Sequence, residues 1–283
     1  MNFKVGDLVT RISYKHDVVF KIIGFEGNTV FLKGVDLRLI ADCDIDDLVK
    51  ADRFVDNDKE IIDANVRDIS IDRSQYFYLP GKILHIDGDN DYLERCMRFY
   101  DDLKVKANGI TLSEVDIPYR IGELLNEFQP DIVVITGHDA YYAKKRDSKD
   151  LNNYQNTINF IDAVKEARKY EKSQDKLIII AGACQSNYEE LIKAGANFAS
   201  SPKRINIHAL DPAIIAASLA LSDKNQSIDL IHLIEKTKYG KDGIGGIITN
   251  GTMYVGYPRW CLIKSKVLLL KIGELNMYLD LMV

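Results

Sequence analysis

Three short apolar runs, Ile83–Ile86, Asp131–Thr136 and Leu177–Ile180, alternate with stretches of helical spacing, and that alternation leaves few folds open to this chain. Each run is short, continuous and rich in β-branched residues, the composition of a strand buried on both faces. After the first, Leu93, Cys96, Met97 and Tyr100 recur at i, i+3, i+4 and i+7, one face of a helix. Leu103–Val105 offers another strand. Pro118 then suits a first helical turn, with Ile121, Leu124, Leu125 and Phe128 on its buried face. A helix is expected from about Asn153 to Lys172, and one from Asn187 to Ala194. Ala196–Ser200 reads as a further strand. Asp211-Pro212 opens a helix running through Leu221, and Ser227 begins another that stops by Gly240. Gly243–Gly246 and an Asn250-Gly251 hairpin signal close the unit. Strands joined through helices make a parallel sheet with right-handed crossovers and helices on both faces, a three-layer α/β fold.

The first 50 residues have a different texture. Val5–Val9, Val18–Ile23, Thr29–Leu32 and Leu37–Ile40 are strand-like, punctuated by Gly24, Gly27-Asn28 and Gly34. A small SH3-like β-barrel over 1–50 is expected, a module that docks or binds more often than it catalyses. Residues 51–80 are charge-rich without sustained periodicity and read as an exposed connector, partly helical at most. The α/β unit then occupies 81–258, and the apolar tail 259–283 has no assigned role.

Composition excludes several classes. Among 283 residues, 37 basic and 42 acidic side chains give a net charge of −5 without a basic tract, so nucleic acid is not a suggested partner. The four cysteines (Cys43, Cys96, Cys184, Cys261) contain no CxxC pair, which argues against a zinc knuckle or disulfide framework and for a reducing compartment. The opening MNFKVGDLV does not read as a signal peptide, and no apolar run approaches the ~20 residues of a membrane span. An intracellular chain without a membrane partner is expected.

Chemistry concentrates at two strand ends. Leu177–Ile180 runs into the small residues Ala181-Gly182-Ala183, and Cys184 follows. Ser186 with Glu189 reads as a capping box, which would set Cys184 just ahead of a helix N-terminus. Ligands gather at that carboxyl edge of an open α/β sheet, and a helix's positive end favours thiolate. The bland alternative is a small buried hydrophobe. The preceding strand ends in Gly137-His138-Asp139, so His138 reaches the same edge and can serve as general base. Backbone N–H groups of Gly137, Asp139 and Cys184 are candidates to hold a developing oxyanion. His16, Cys43, Cys96 and His85 read as structural. So do His208 and His232, with the rim of the site as the alternative for His208.

The order strand–His, helix, strand–Ala-Cys resembles the caspase/gingipain/clostripain group of cysteine peptidases. The chain more closely resembles the YabG family of sporulation-specific proteases, through FKVGDLVTRISYKHDVVFKIIG, DIVVITGHD, GACQSNYEELIKAGANFASSPKRINIHALDP and NGTMYVGYP, over residues 1 to about 258. That resemblance implies a caspase-like or flavodoxin-like three-layer fold and a thiol protease with a Cys184–His138 dyad. It further implies cleavage of spore coat and precursor proteins after arginine, in the sporulating cell or at the spore coat. Neither a metal nor another cofactor is expected, and the oligomeric state is open. One departure is Asp139, where the wider group carries a glycine after the histidine.

Arginine preference calls for a carboxylate in a cleft, since guanidinium keeps its charge and a carboxylate accepts it in a fork. The stretch after the first strand supplies Asp87 and Asp89, with helix capping by Asp89 and a solvated Asp87 as the plainer alternative. Arg53, Arg67 and Arg73 in the connector suggest self-cleavage that would release the β module. Two other readings use the same residues. A class I glutamine amidotransferase would pair Cys184 with His208, although Ser186 stands where its nucleophile turn has a second glycine. A flavodoxin-like binding module would need neither Cys184 nor His138.

Overall fold

Period-two burial organises the N-terminal part of a computed structural model that describes residues 3–51, 58–67, 76–142 and 147–257. Strands β1 (Leu8–Arg11), β2 (Phe20–Glu26), β3 (Thr29–Gly34), β4 (Ile40–Asp44) and β5 (Leu48–Lys50) form an antiparallel sheet in the order β4-β3-β2-β1-β5. Val9, Phe20, Ile22, Val30 and Leu32 turn to one side and are fully buried together. Two strand expectations shift. The run Leu37–Ile40 is not a strand: Leu37 makes a single bridge to His208, and β4 begins only at Ile40. The reason is Arg38, whose charge is satisfied outside this sheet. β5 was not expected from the sequence.

The larger sheet contains β7 (Ile83–Asp87), β8 (Ala107–Thr111), β9 (Ile132–Thr136), β10 (Ile178–Ala181), β11 (Phe198–Ser200) and β12 (Ile244–Gly246). Its order is β12-β11-β10-β9-β7-β8, parallel except for β12. Helices α2 (Asn90–Asp102), α6 (Asp211–Ala220) and α7 (Leu230–Glu235) cover one face, packing Phe99, Tyr100, Ala213 and Ile214 on Ile83, Val134 and Ile180. Helices α3 (Ile117–Phe128), α4 (Thr157–Tyr170) and α5 (Tyr188–Ala194) cover the other, packing Ile121, Leu125 and Phe160 on Leu84, Val133 and Ile179. Neighbouring residues of one strand thus feed opposite cores, which is why these runs are apolar without alternation.

Local chemistry explains the remaining differences from sequence. Leu103–Val105 is not a strand: Lys104 has a positive φ of 58°, and Leu103 and Val105 bond back to the last turn of α2. α7 starts at Leu230 because Asp229, not Ser227, caps it. Asn250-Gly251 makes no two-strand hairpin; β13 (Tyr254–Gly256) pairs instead with β6 (Phe77–Leu79), tying the end of the connector to the end of the α/β unit. The connector also holds α1 (Asp58–Arg67), where Asp58 pairs with Arg95 of α2 and Ile61 packs on the core. Arg53, Arg73 and the tail 259–283 lie outside the described residues. Among the described residues, no helix is long and apolar enough to cross a membrane.

Candidate active site

Sheet order creates a topological switch point. From β7 the chain first adds β8 on one side, then returns to add β9 on the other, so the topological switch point lies between β7 and β9. Register then decides what meets there. Asp87 pairs with Thr136, so Asp89 and His138, each two residues on, emerge opposite one another. His138 Nε2 is 2.9 Å from Asp89 Oδ2. On the next strand Ala181 pairs with Ile135, so Cys184 and His138 are both three residues past a matched pair. Gly182, with φ of 99°, makes the turn out of β10 in a conformation that side chains disfavour. Its carbonyl accepts from the Thr136 hydroxyl at 3.0 Å, which ties the two strand ends together.

The N-terminal sheet reaches into this edge with two cations. Arg38 is fully buried: Nη1 donates to Asp87 Oδ2 at 2.7 Å, while Nε and Nη2 donate to the Ala209 carbonyl. Burial alone would raise the Asp87 carboxyl, but Arg38 and His85 reverse that and hold it below the usual range. Lys33 Nζ donates to Asp89 Oδ1 at 2.6 Å. Burial pulls Asp89 upward as well, and the His138 and Lys33 contacts overcome it, leaving its pKa lowered. The Tyr92 ring lies between these groups, edge-on to His138 and beneath both cations, with its hydroxyl on the Gly34 and Leu37 carbonyls.

These contacts bear on the acids expected to bind a substrate arginine. Asp87 has no exposed surface and its carboxylate is committed to Arg38 and to the Asp89 N–H. Asp89 does cap α2, accepting from Asp91 and Tyr92, while also holding His138 and Lys33. Neither carboxylate is free in this structure.

With Asp89 ionised, the neutral His138 ring carries its proton on Nε2 and leaves Nδ1 as the basic atom. Nδ1 is buried and has no hydrogen-bond partner among the described residues. The His138 N–H donates to Glu114 Oε1 at 2.7 Å. Glu114 also fills the space that a Cβ at Gly88 or Gly137 would need, which explains both glycines. Among the described residues the N–H groups of Gly137, Asp139 and Cys184 have no protein acceptor.

Cys184 is at the expected edge but in an unexpected state. The expected capping box is absent: Asn187 caps α5, and Glu189 pairs with Arg204. Ser186 instead donates to Asp139 and accepts from the Ala183 N–H. Cys184 has no exposed surface, and Sγ accepts from the Ile207 N–H at 3.3 Å rather than bonding to His138. Burial pushes its thiol up to about 12, against the pull of the Ile207 N–H and Arg38. The short α5 therefore does not win over desolvation. The residues over Cys184 are pinned by the N-terminal sheet, since Arg38 N–H donates to Ile207 O and Ala209 N–H to Asp36 O. In the substrate-free protein at neutral pH, iodoacetamide should therefore label partly exposed Cys43 well before Cys184. Peptide mapping that found Cys184 labelled first would rule out this closed arrangement.

His208 does not face Cys184 as a base. Its Nδ1 accepts from the Leu210 N–H, and Nε2 lies 3.5 Å from Asp36, so the amidotransferase pairing has no geometric support. Sequence reasoning missed Arg38, Lys33, Tyr92 and Glu114. Only Arg38 left a usable signal, a charge set between Leu37 and Leu39-Ile40, which demands a buried partner.

Comparison with known proteins agrees with the resemblance noted from sequence. The family model described as YabG peptidase U57 matches residues 4–70 and 53–258. A curated relative, the sporulation-specific protease YabG of Bacillus subtilis (strain 168), is 41% identical over 286 residues, covering 91% of this chain and 99% of that protein. No solved structure matches. An Asp–His pair in register across the topological switch point and a cysteine on the neighbouring strand end thus stand in a chain that belongs to the YabG peptidase U57 family.

Proposed function

We propose that this peptidase is a cysteine endopeptidase in which Cys184 is the nucleophile, His138 the base and Asp89 the group that orients it. The observation that carries the reading is the shared register. It sets Asp89, His138 and Cys184 at one edge, with His138 Nδ1 unpartnered. His138 Nδ1 takes the thiol proton as Sγ attacks the scissile carbonyl, forming a C–S bond. The oxyanion is held by backbone N–H groups, with Cys184, Asp139 and Gly137 as the free donors and the His138 N–H already spent on Glu114. His138 then protonates the leaving amine as the C–N bond breaks, and water hydrolyses the thioester with the same histidine as base. Asp89, fixed by Lys33 and the start of α2, keeps the ring in the tautomer this sequence of transfers requires.

Substrate entry requires the segment around Ile207 to move off Cys184. The closed form is therefore a resting state. Cleavage after arginine, and spore coat and precursor proteins as substrates, follow from the family resemblance, as does work in the sporulating cell. The acid that receives arginine is one other than Asp87, which Arg38 occupies; Asp89 could serve only by giving up Lys33. Self-cleavage in 51–80 would nick the chain but leave the N-terminal sheet docked through Arg38 and Lys33.

The test is cleavage of an arginine-containing peptide panel by wild type, His138→Ala and Asp89→Asn. His138→Ala should slow turnover at least ~100-fold, the scale for loss of a general base. Asp89→Asn should lower kcat by a similar factor at unchanged KM, because the amide can stabilise the wrong tautomer. Full turnover by either variant would exclude it from the assigned role.

A further inference from the structure

The sequence placed Asp139 in the candidate site for its backbone, yet its side chain is a buried carboxylate held between the two candidate catalytic turns. It is 6% exposed, and four donors converge on it. Oδ1 accepts from the N–H groups of Ala140 at 2.9 Å and Asn156 at 2.8 Å. Oδ2 accepts from the hydroxyls of Ser186, at 2.8 Å, and Thr157. Each hydroxyl is itself a relay. Ser186 Oγ accepts from the Ala183 N–H at 2.9 Å, and Thr157 Oγ1 accepts from the Asn187 N–H at 3.0 Å. Cys184 lies between those two anchored residues. On the other side, Asn156 Nδ2 donates to the His138 carbonyl at 2.9 Å.

We infer that Asp139 is a positioning residue that sets the Cys184 turn against the His138 turn, acting through the Ser186 and Thr157 hydroxyls. The inference rests on the cysteine-peptidase reading above. A carboxylate is needed for a chemical reason. Both hydroxyls spend a lone pair on a backbone N–H and point their protons at one oxygen, so that oxygen must accept twice and donate nothing. An amide can satisfy Ala140 and Asn156 through its oxygen, but its NH2 would then face two hydroxyl protons. The hydroxyls would have to rotate away, and the grip on Ala183 and Asn187 would loosen. No other charged group among the described residues bonds to this carboxylate; burial raises its pKa, and its four donors only partly pull it back down. Reacting groups held by such a network lose rate steeply when displaced, ~10²-fold for about 1 Å.

The experiment measures kcat and KM on a fluorogenic arginyl peptide, well below each variant's melting temperature. Ser186→Ala and Thr157→Val each remove one relay and should lower kcat about tenfold with KM nearly unchanged, while Thr157→Ser, which keeps the hydroxyl, should retain wild-type kcat. Asp139→Asn should lose ~10²-fold. If that variant does not fold, the two relay variants still decide the question. Wild-type kcat in both Ser186→Ala and Thr157→Val, with only a lower melting temperature, would reduce Asp139 to a structural cap and overturn the inference. A rise in KM at unchanged kcat would overturn it as well. Cys184→Ala is run alongside: cleavage surviving in that variant would remove the cysteine reading itself, whereas its inactivity beside fully active relay variants would remove only the role of Asp139.

Discussion

Cys184→Ala should abolish cleavage of arginine peptides while leaving the protein folded. Loss of a covalent nucleophile lowers kcat on the order of 10⁶-fold when the rest of a site is intact. The fold should tolerate the change because the Cys184 thiol makes only weak hydrogen bonds, a 3.3 Å one from the Ile207 N–H and a 4.0 Å one to the Ile207 carbonyl, and follows the small residues Ala181-Gly182-Ala183. A buried substitution of this size costs about 1 kcal/mol. Circular dichroism and a melting curve would establish the fold, and peptide turnover the function. The same variant should stay full length on storage, whereas wild type should shorten within 51–80. Undiminished turnover would end the cysteine reading, and equal shortening of both proteins would end self-cleavage.

A comparable effect, on stability, is expected at Arg38. Arg38→Ala leaves the Asp87 carboxylate sealed without its cation, and breaking one side of a buried pair costs ~3–5 kcal/mol. That is a large part of the ~5–15 kcal/mol that holds a domain together. The pH dependence has a definite sign. In wild type the Asp87 pKa is lowered by Arg38, so the pair's stabilisation is present above the unfolded value of ~3.9 and is lost as pH falls through the folded one. In the variant, burial is opposed only by His85 and the Asp89 N–H, so the same carboxyl rises from its wild-type position and the variant gains relative stability as the acid is protonated. The gap between the two proteins should therefore be widest near pH 7 and narrow toward pH 4 in urea unfolding. Replacing both partners, as Arg38→Met with Asp87→Leu, should recover much of the loss. A gap below about 1 kcal/mol at pH 7 would show that Arg38 does not anchor the N-terminal sheet.

That anchor changes how the N-terminal sheet is understood. Read alone, residues 1–50 look like a docking module joined by an exposed connector. In the folded protein their Arg38 and Lys33 satisfy Asp87 and Asp89 at the switch point, and the loop around Leu37 holds the segment that covers Cys184. The sheet borders the candidate site, and removing it would expose Asp87 and free Ile207 together.

The sequence alone determined the α/β unit with helices on both faces of a largely parallel sheet, and placed His138 and Cys184 at its carboxyl edge. Strands such as Ile132–Thr136 and Ile178–Ala181 are legible because burial on both faces demands an unbroken β-branched run, and helices such as Asn90–Asp102 because one face repeats every 3.6 residues. His138 and Cys184 stood out as candidates because each follows such a run by two or three residues. The two short strands Leu48–Lys50 and Tyr254–Gly256 were not legible, since their pairing partners lie far away in the chain. Only the tertiary structure decided what the acids do. Asp87, Asp89 and Asp139 look alike in sequence, each a carboxylate just past or at the end of a strand. Register and the approach of the N-terminal sheet give Asp87 to Arg38, Asp89 to His138 and Lys33, and Asp139 to two hydroxyls. A carboxylate's role is set by the donors that reach it in space, and the donors that decided it here come from segments as far away as 56 residues in the chain.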